Sequence, residues 1–320
     1  LFRSVHFYSF NETSLNDAIK TFRSLIGKPY MPPKWAFGYF QSRWGYASEA
    51  DLLQVQSQFE AQSIPLEGIY VDIDYMERFK DFTIDKDRYP DFKGLVANFK
   101  EKGQYLIPII DAGVKIETGY ALYEEGIKDD HFVKDSEGNP YVAAVWPGRV
   151  HFPDFMQPKT QKWFGDWYQF LIDMGIEGIW NDMNEPAIFY DEDALNAAIE
   201  KALASKGENL DIYTYFALGD AFRQLSNKTD YYEKMKHTYD GQQYDNITLH
   251  NLYGFLMTKA ADLGFIEHIS ADQLSSGGHR DWNWTRKRGG GLSFRRKNWV
   301  RADPAGRRRD DRLWRVALSS

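Results

Sequence analysis

From Trp35 onward, short apolar runs alternate with amphipathic stretches, and the spacing of apolar positions switches between the strand and the helix period. Residues 35–40 read as a strand. Ser48 heads a helix, with Glu49 in its first turn and Leu52, Val55 and Phe59 on one face. Residues 68–74 are a buried-type strand, 92–102 a helix and 105–111 a third strand, even with Pro108 inside it. A further helix starts over 120–125. Residues 140–153 form an insertion with the look of a hairpin. Pro158 opens a helix running to Met174, and Gly178–Asp182 is a fourth strand. Ahead of this series, Ser14 is placed to cap a helix whose apolar face is Ala18, Phe22 and Leu25, closed by Pro32-Pro33.

Repeated strand-then-helix units imply parallel strands joined by right-handed crossovers. That leaves a doubly wound sheet or a (β/α)8 barrel. No Gly-x-Gly-x-x-Gly follows the first strand, which argues against a dinucleotide fold. Polar residues discriminate further. Asp72, Asp74, Asp111 and Asp182 all fall at the C-terminal ends of apolar strands, the rim where barrels gather functional groups. Residues 191–243 are acidic and helical in pattern, like an insertion. Residues 251–261 form another amphipathic helix, and beyond 262 the pattern stops.

Composition narrows this. With 43% hydrophobic residues over 320 positions the chain buries a sizeable core, and its 16% aromatic content suits sugar rings as well as packing. There is no cysteine, so disulfides and thiolate metal sites are excluded. That fits a reducing compartment, and no signal-type segment opens the chain, so the expected location is the cytoplasm. No apolar run has the length of a membrane span. Asn11, Asn227, Asn246 and Asn283 stand in Asn-x-Thr triplets. The net charge of −7 conceals an asymmetry: between Arg280 and Arg315, 13 Lys and Arg stand against 4 Asp.

A row of carboxylates on a barrel rim binds a divalent metal, binds sugar hydroxyls, or works as acid, base and nucleophile. None of the seven histidines has ligand spacing to another, so neither metal nor cofactor is expected. Glycoside hydrolysis fits better: one ionised carboxylate attacks the anomeric carbon and a second carboxyl protonates the departing oxygen. Trp180 precedes Asp182 by two residues, hence on the same side of the strand, and walls it with an aromatic face. Glu185 is a candidate for orienting neighbours or binding substrate, and equally for a buried structural carboxylate.

Trp180-Asn-Asp-Met-Asn-Glu185 resembles the signature of glycoside hydrolase family 31, the α-glucosidases and α-xylosidases. Pro33-Lys-Trp35, Gln41-Ser-Arg-Trp-Gly-Tyr46, Tyr70-Val-Asp-Ile-Asp-Tyr-Met76 with Asp81-Phe-Thr83, Val145-Trp-Pro-Gly148 and Phe152-Pro-Asp154 resemble further family segments, in the family's order over residues 15–261. The resemblance implies an α/β fold, a (β/α)8 barrel of which the first half is present, acting on α-glucosidic oligosaccharides such as maltose or isomaltose. It implies Asp182 as nucleophile and Asp72 as the carboxylate that binds the hydroxyls of the terminal glucose. Ile73, Ile109, Trp146, Trp180 and Met183 match the apolar lining of that subsite, Trp44 an aromatic near the aglycone, and Asp111 a rim carboxylate that is structural or touches sugar.

The family's acid/base aspartate lies in a stretch of the type Trp-x-Gly-Asp-Asn, and no such stretch occurs here. The expected organisation is therefore a fragment. Residues 1–33 end an N-terminal β-domain and linker, 34–190 form half a barrel, 191–250 an acidic helical insertion, 251–261 a barrel helix and 262–320 an atypical basic tail. In that tail Arg286-Lys-Arg288, Arg295-Arg-Lys297 and Arg307-Arg-Arg309 cluster with Trp282, Trp284, Trp299 and Trp314. Basic groups interleaved with aromatics suit nucleic acid. The abrupt change in composition fits translation in another reading frame better, so nucleic acid is not the expected partner.

Overall fold

A computed structural model of the chain describes residues 8–26, 34–267 and 290–294. Its helices are α1 (Leu15–Ile26), α2 (Glu49–Ala61), α3 (Phe92–Glu101), α4 (Ala121–Lys128), α5 (Pro158–Trp167), α6 (Gln169–Ile172), α7 (Glu192–Ala204), α8 (Ile212–Arg223), α9 (Thr229–Lys234) and α10 (Asn246–Glu267). Its strands are β1 (Phe40–Gln41), β2 (Gly68–Val71), β3 (Tyr105–Ile110), β4 (Val114–Lys115), β5 (Ala143–Val145), β6 (Gly148–His151), β7 (Gly178–Asp182), β8 (Tyr190–Asp191), β9 (Lys236–Tyr239), β10 (Gln242–Asp245) and β11 (Gly290–Phe294).

The main sheet runs β1-β2-β3-β7-β11. Its first four strands are parallel, with Phe40 opposite Gly68, Gly68 opposite Tyr105 and Ile109 opposite Trp180. This is the expected run of crossovers, and it aligns the strand C-termini on one rim. Pro108 is tolerated inside β3 because β7 pairs only from Ile109 onward, so no ladder bond to β7 is lost there. β11 covers the outer edge of β7, but antiparallel, with Gly290 opposite Asp182. The outer edge of β7 is therefore paired, and not with the parallel strand a barrel would place there.

Local chemistry explains the helix starts. Ser48 and Asp51 close a capping box on α2, and the Asp91 carboxylate accepts from Gly94 N at 2.9 Å to start α3. In α3, Phe92, Leu95, Val96 and Phe99 are all buried, the spacing of one helical face laid on the sheet. The first expected strand differs: residues Lys34–Phe37 make a 3-10 turn and only Phe40–Gln41 pair. Trp35 instead stacks on Tyr105 with ring centroids 4.1 Å apart, which takes the aromatic out of an extended run.

The insertion after β4 is the expected hairpin, β5 against β6, within a second sheet ordered β4-β6-β5-β8. A second apolar cluster fills the space beneath it, with Tyr141, Phe152, Ile188, Tyr231 and Met235 at its centre. The 191–250 region departs from its helical expectation at its end, where β9 and β10 pair antiparallel before α10 begins at Asn246. Asp154 fastens this piece to the rest. It is fully buried, takes His237 Nδ1 at 2.7 Å and Thr238 N at 2.8 Å, and accepts from Gln157 Nε2 at 2.8 Å. Asn246, whose Nδ2 lies 2.8 Å from His237 Nε2, is also fully buried, which removes it as a glycan acceptor. Pro32-Pro33, Asn283 and the Arg and Trp clusters of the tail, apart from the backbone of 290–294, lie outside the described residues.

α10 packs on α5 through facing glycines. A Cβ on Gly264 would sit 2.0 Å from Gly165 O, and one on Gly165 would sit 2.5 Å from Ala260 O. The obstacle is backbone, so it does not swing aside. Gly264→Ala is expected to destabilise the fold by about 1–3 kcal/mol, read as a lower urea midpoint at unchanged slope.

Candidate active site

The rim above β2, β3 and β7 brings together the residues that the sequence scattered over more than a hundred positions. Asp72 follows β2 and caps a short 3-10 turn, its Oδ1 accepting from Ile73 N at 2.8 Å. Asp111 follows β3 and Asp182 ends β7. Glu185 lies beyond it, joined to Pro186 by a cis peptide bond. Asp74, also expected on this rim, instead faces Arg88 at 3.3 Å.

Trp180 and Asp182 occupy alternate positions of β7 and both are half-buried, as the alternation required. The Trp180 indole N–H donates to Val71 O at 3.3 Å, and its ring meets Tyr70 edge-on at 6.3 Å. That fixes an aromatic wall between β2 and β7. Ile73 and Ile109 are buried, with Ile109 opposite Trp180 in the β3–β7 pairing. Met183 adopts φ 54, a conformation that costs a non-glycine residue about 1–3 kcal/mol. It is partly buried against the second apolar cluster, so the turn after Asp182 is held by packing.

The electrostatics are one-sided. Burial, against the Met183 N–H and with Glu185 and Asp72 adding to it, holds the Asp182 carboxyl up at about 6. Asp72 is raised by burial and by Asp74, against its bond to Ile73 N. Every charged group that shifts Asp182 is acidic. Among the described residues no three His, Asp or Glu are placed to hold a metal ion, even with this many carboxyls on one rim.

Trp44 and Trp146, both exposed, sit 5.8 Å apart by ring centroid. Two aromatics that sequence reasoning passed over complete this group: Phe79 lies 6.1 Å and Phe189 5.2 Å from Trp146. Phe79 reaches Trp146 from a loop with positive φ at Arg78, Phe79 and Phe82. Lys80 anchors that loop, with Nζ 2.9 Å from Glu117 and 3.2 Å from Glu77. The same loop carries Asp81, missed as a site residue, whose Oδ1 accepts from Asp111 N at 2.9 Å. Only the Asp81-Phe-Thr83 motif pointed at it.

The model for the glycosyl hydrolases family 31 TIM-barrel domain matches residues 29–299. The chain belongs to glycoside hydrolase family 31. The family match continues past residue 261, further than the motifs taken one by one reach, and so includes part of the basic segment. Among curated relatives, Alpha-glucosidase 2 of Bacillus thermoamyloliquefaciens is 38% identical over 261 residues, 82% of this chain and 29% of that protein. A probable alpha-glucosidase of Oryza sativa subsp. japonica is 34% identical over 79% of this chain and 27% of its own length. The chain thus spans less than a third of these relatives. Among solved structures, the Flavobacterium johnsoniae family 31 dextranase complexed with glucose superposes with a TM-score of 0.63 at 27% identity, covering 80% of this chain and 27% of that one. A family 31 alpha-glucosidase from Bacteroides thetaiotaomicron gives 0.58 at 27% identity, over 81% of this chain and 36% of its own. The partial barrel is therefore a family 31 barrel.

Proposed function

We propose that the protein to which this domain belongs is a retaining exo-α-glucosidase that removes terminal α-linked glucose from oligosaccharides such as maltose or isomaltose. The observation that carries this reading is Asp182 at the tip of β7, half-buried beside Trp180, with Asp72 two strands away on the same rim. The alpha-glucosidase names of the relatives support it.

In the first step an Asp182 oxygen attacks the anomeric carbon, the bond to the aglycone oxygen breaks, and that oxygen takes a proton from a second carboxylic acid. A glucosyl ester on Asp182 results. In the second step water attacks the same carbon, gives its proton to the conjugate base of that acid, and releases Asp182 as carboxylate; two inversions give net retention. Asp72 holds the hydroxyls of the glucose, and Trp180, Trp146, Ile73, Ile109 and Met183 form the apolar surroundings of the ring. Trp44, Phe79 and Phe189 flank Trp146 on the aglycone side. No cofactor enters.

The acid is the piece that the 320 residues do not present in recognisable sequence form. General acid help is commonly worth about 10²–10⁴-fold, so this chain is expected to bind glucosides while turning over maltose slowly or not at all. A sugar that needs no acid isolates the nucleophile. With 5-fluoro-α-glucosyl fluoride, fluoride departs unaided, and an adduct is expected on the peptide carrying Asp182 by mass spectrometry. A folded chain that stays unlabelled, or is labelled on another carboxyl, sinks the reading. The labelling rate should follow the ionised fraction of Asp182. It should climb as pH rises through about 6 and level off above 7; a rate flat from pH 4.5 to 8 would reject the assignment.

A further inference from the structure

Asp81 and Asp111 are 1% and 2% exposed, and neither appears among the charged groups that shift Asp182. Asp81 Oδ1 accepts from Asp111 N at 2.9 Å. The remaining oxygens, Asp81 Oδ2 and both oxygens of Asp111, are buried with no hydrogen-bond partner. Two unscreened carboxylates with three orphan oxygens cost several kcal/mol if both are charged. Neighbouring donors do not relieve them. Three tyrosines lie close enough to sense the Asp81 charge, yet each hydroxyl is committed elsewhere. Tyr75 donates to Ile109 O at 2.7 Å, Tyr120 to Asp81 O at 2.8 Å and Tyr168 to Asn181 Oδ1 at 3.0 Å. Burial and then the Asp81 charge push all three phenols well above their ordinary range, so they remain neutral. The Lys80 ammonium next door is engaged by Glu77 and Glu117.

We infer that Asp111 is held as a neutral carboxylic acid at the buried C-terminal end of β3, with Asp81 as the positioning residue that fixes its place and its proton. Burial pushes both carboxyls up, and their surroundings differ. Asp111 is raised further by Asp81, Asp182, Asp72 and Glu185, whereas Asp81 receives a backbone N–H, which favours its ionised form. The pair therefore holds one proton, and it sits on Asp111. A neutral Asp111 removes the cost of a second uncompensated charge in this dry setting. It also lowers the charge there by one, which leaves Asp182 free to ionise near neutrality. The inference rests on reading Asp182 as the ionised nucleophile, and the two can fail separately.

The measurement is infrared absorption of the protonated carboxyl C=O stretch in the full chain at pH 7.5. A band is expected in the wild type. It should vanish in Asp111→Asn and survive in Asp182→Asn. In Asp81→Asn, whose amide oxygen can still accept from Asp111 N, one like charge is gone. The pH at which the Asp111 band disappears should then fall by about one unit or more, a shift of roughly 1.4 kcal/mol. A role limited to holding the backbone would not move it. No band in the wild type, a band that persists in Asp111→Asn, or an unmoved titration in Asp81→Asn overturns the inference. Should Asp81→Asn fail to fold, the wild-type and Asp111→Asn spectra still decide it. A band present in a chain whose Asp182 resists labelling would spare this inference and count against the nucleophile.

Discussion

Asp182→Asn is expected to abolish glucosyl-ester formation, by at least about 10⁴-fold, while making the folded chain more stable at neutral pH. Both effects have one cause. In the proposed mechanism the carboxylate is the attacking group, and an amide oxygen is too weak a nucleophile to replace it. The same carboxylate stands half-buried beside Glu185 and Asp72, with burial and like charge holding it up to about 6. In the unfolded chain it would titrate near 3.8. Between those values the native state binds more protons than the unfolded state, so stability falls as pH rises from about 4 to 6 and stays reduced above. Asparagine removes that loss. With allowance for the solvent-facing side of the group, the gain at pH 7.5 is about 1–2 kcal/mol. Most of it is gone at pH 4, where the native carboxyl is already protonated. Urea midpoints at the two pH values measure it. A variant that keeps ester formation near the wild-type rate, or is less stable than wild type at pH 7.5, contradicts this account of the site.

That cost explains which parts of the site could be read from the chain. Asp182 and Trp180 were legible because a strand has period two, so a two-residue separation fixes a shared side whatever the surroundings. Asp72 and Asp111 were legible because apolar strands announce their own ends. Asp81 was not. It is polar, flanked by Lys80 and Phe82 in a loop, and its partner is Asp111, thirty residues away. Apart from the Asp81-Phe-Thr83 motif, nothing local distinguishes it from a solvated carboxylate; burial does. Phe79 and Phe189 escaped for the same reason, since they meet Trp146 from irregular segments that carry no period. The fold shows the complementary limit. Periodicity placed β2, β3, β7 and α3, but Trp35 was drawn out of an extended run by a ring on another strand. The β9–β10 hairpin, whose one buried residue is the polar His237, gave no apolar pattern to find.

Asp72→Ala is expected to slow labelling of Asp182 by about 10²-fold or more, since a charge-assisted hydrogen bond contributes about 1.5–3 kcal/mol and a carboxylate reaching two hydroxyls makes two. The signature that separates this from general damage lies in the pH profile. Asp72 is one of the two like charges that raise Asp182. Removing it weakens that push, so the midpoint of the labelling profile should move below about 6 even as the plateau falls. A second consequence is local. Asp72 Oδ1 caps the turn Ile73–Tyr75 through Ile73 N at 2.8 Å, and losing a cap of this kind costs about 1 kcal/mol. Asp72→Asn keeps the cap and loses only the charge. It should restore stability to the wild-type level, share the lowered midpoint, and recover only part of the rate. Equal rates for Asp72→Asn and wild type would show that the charge does not hold the sugar. A plateau lost in Asp72→Ala with the midpoint left in place would place Asp72 in the scaffold and not beside the nucleophile.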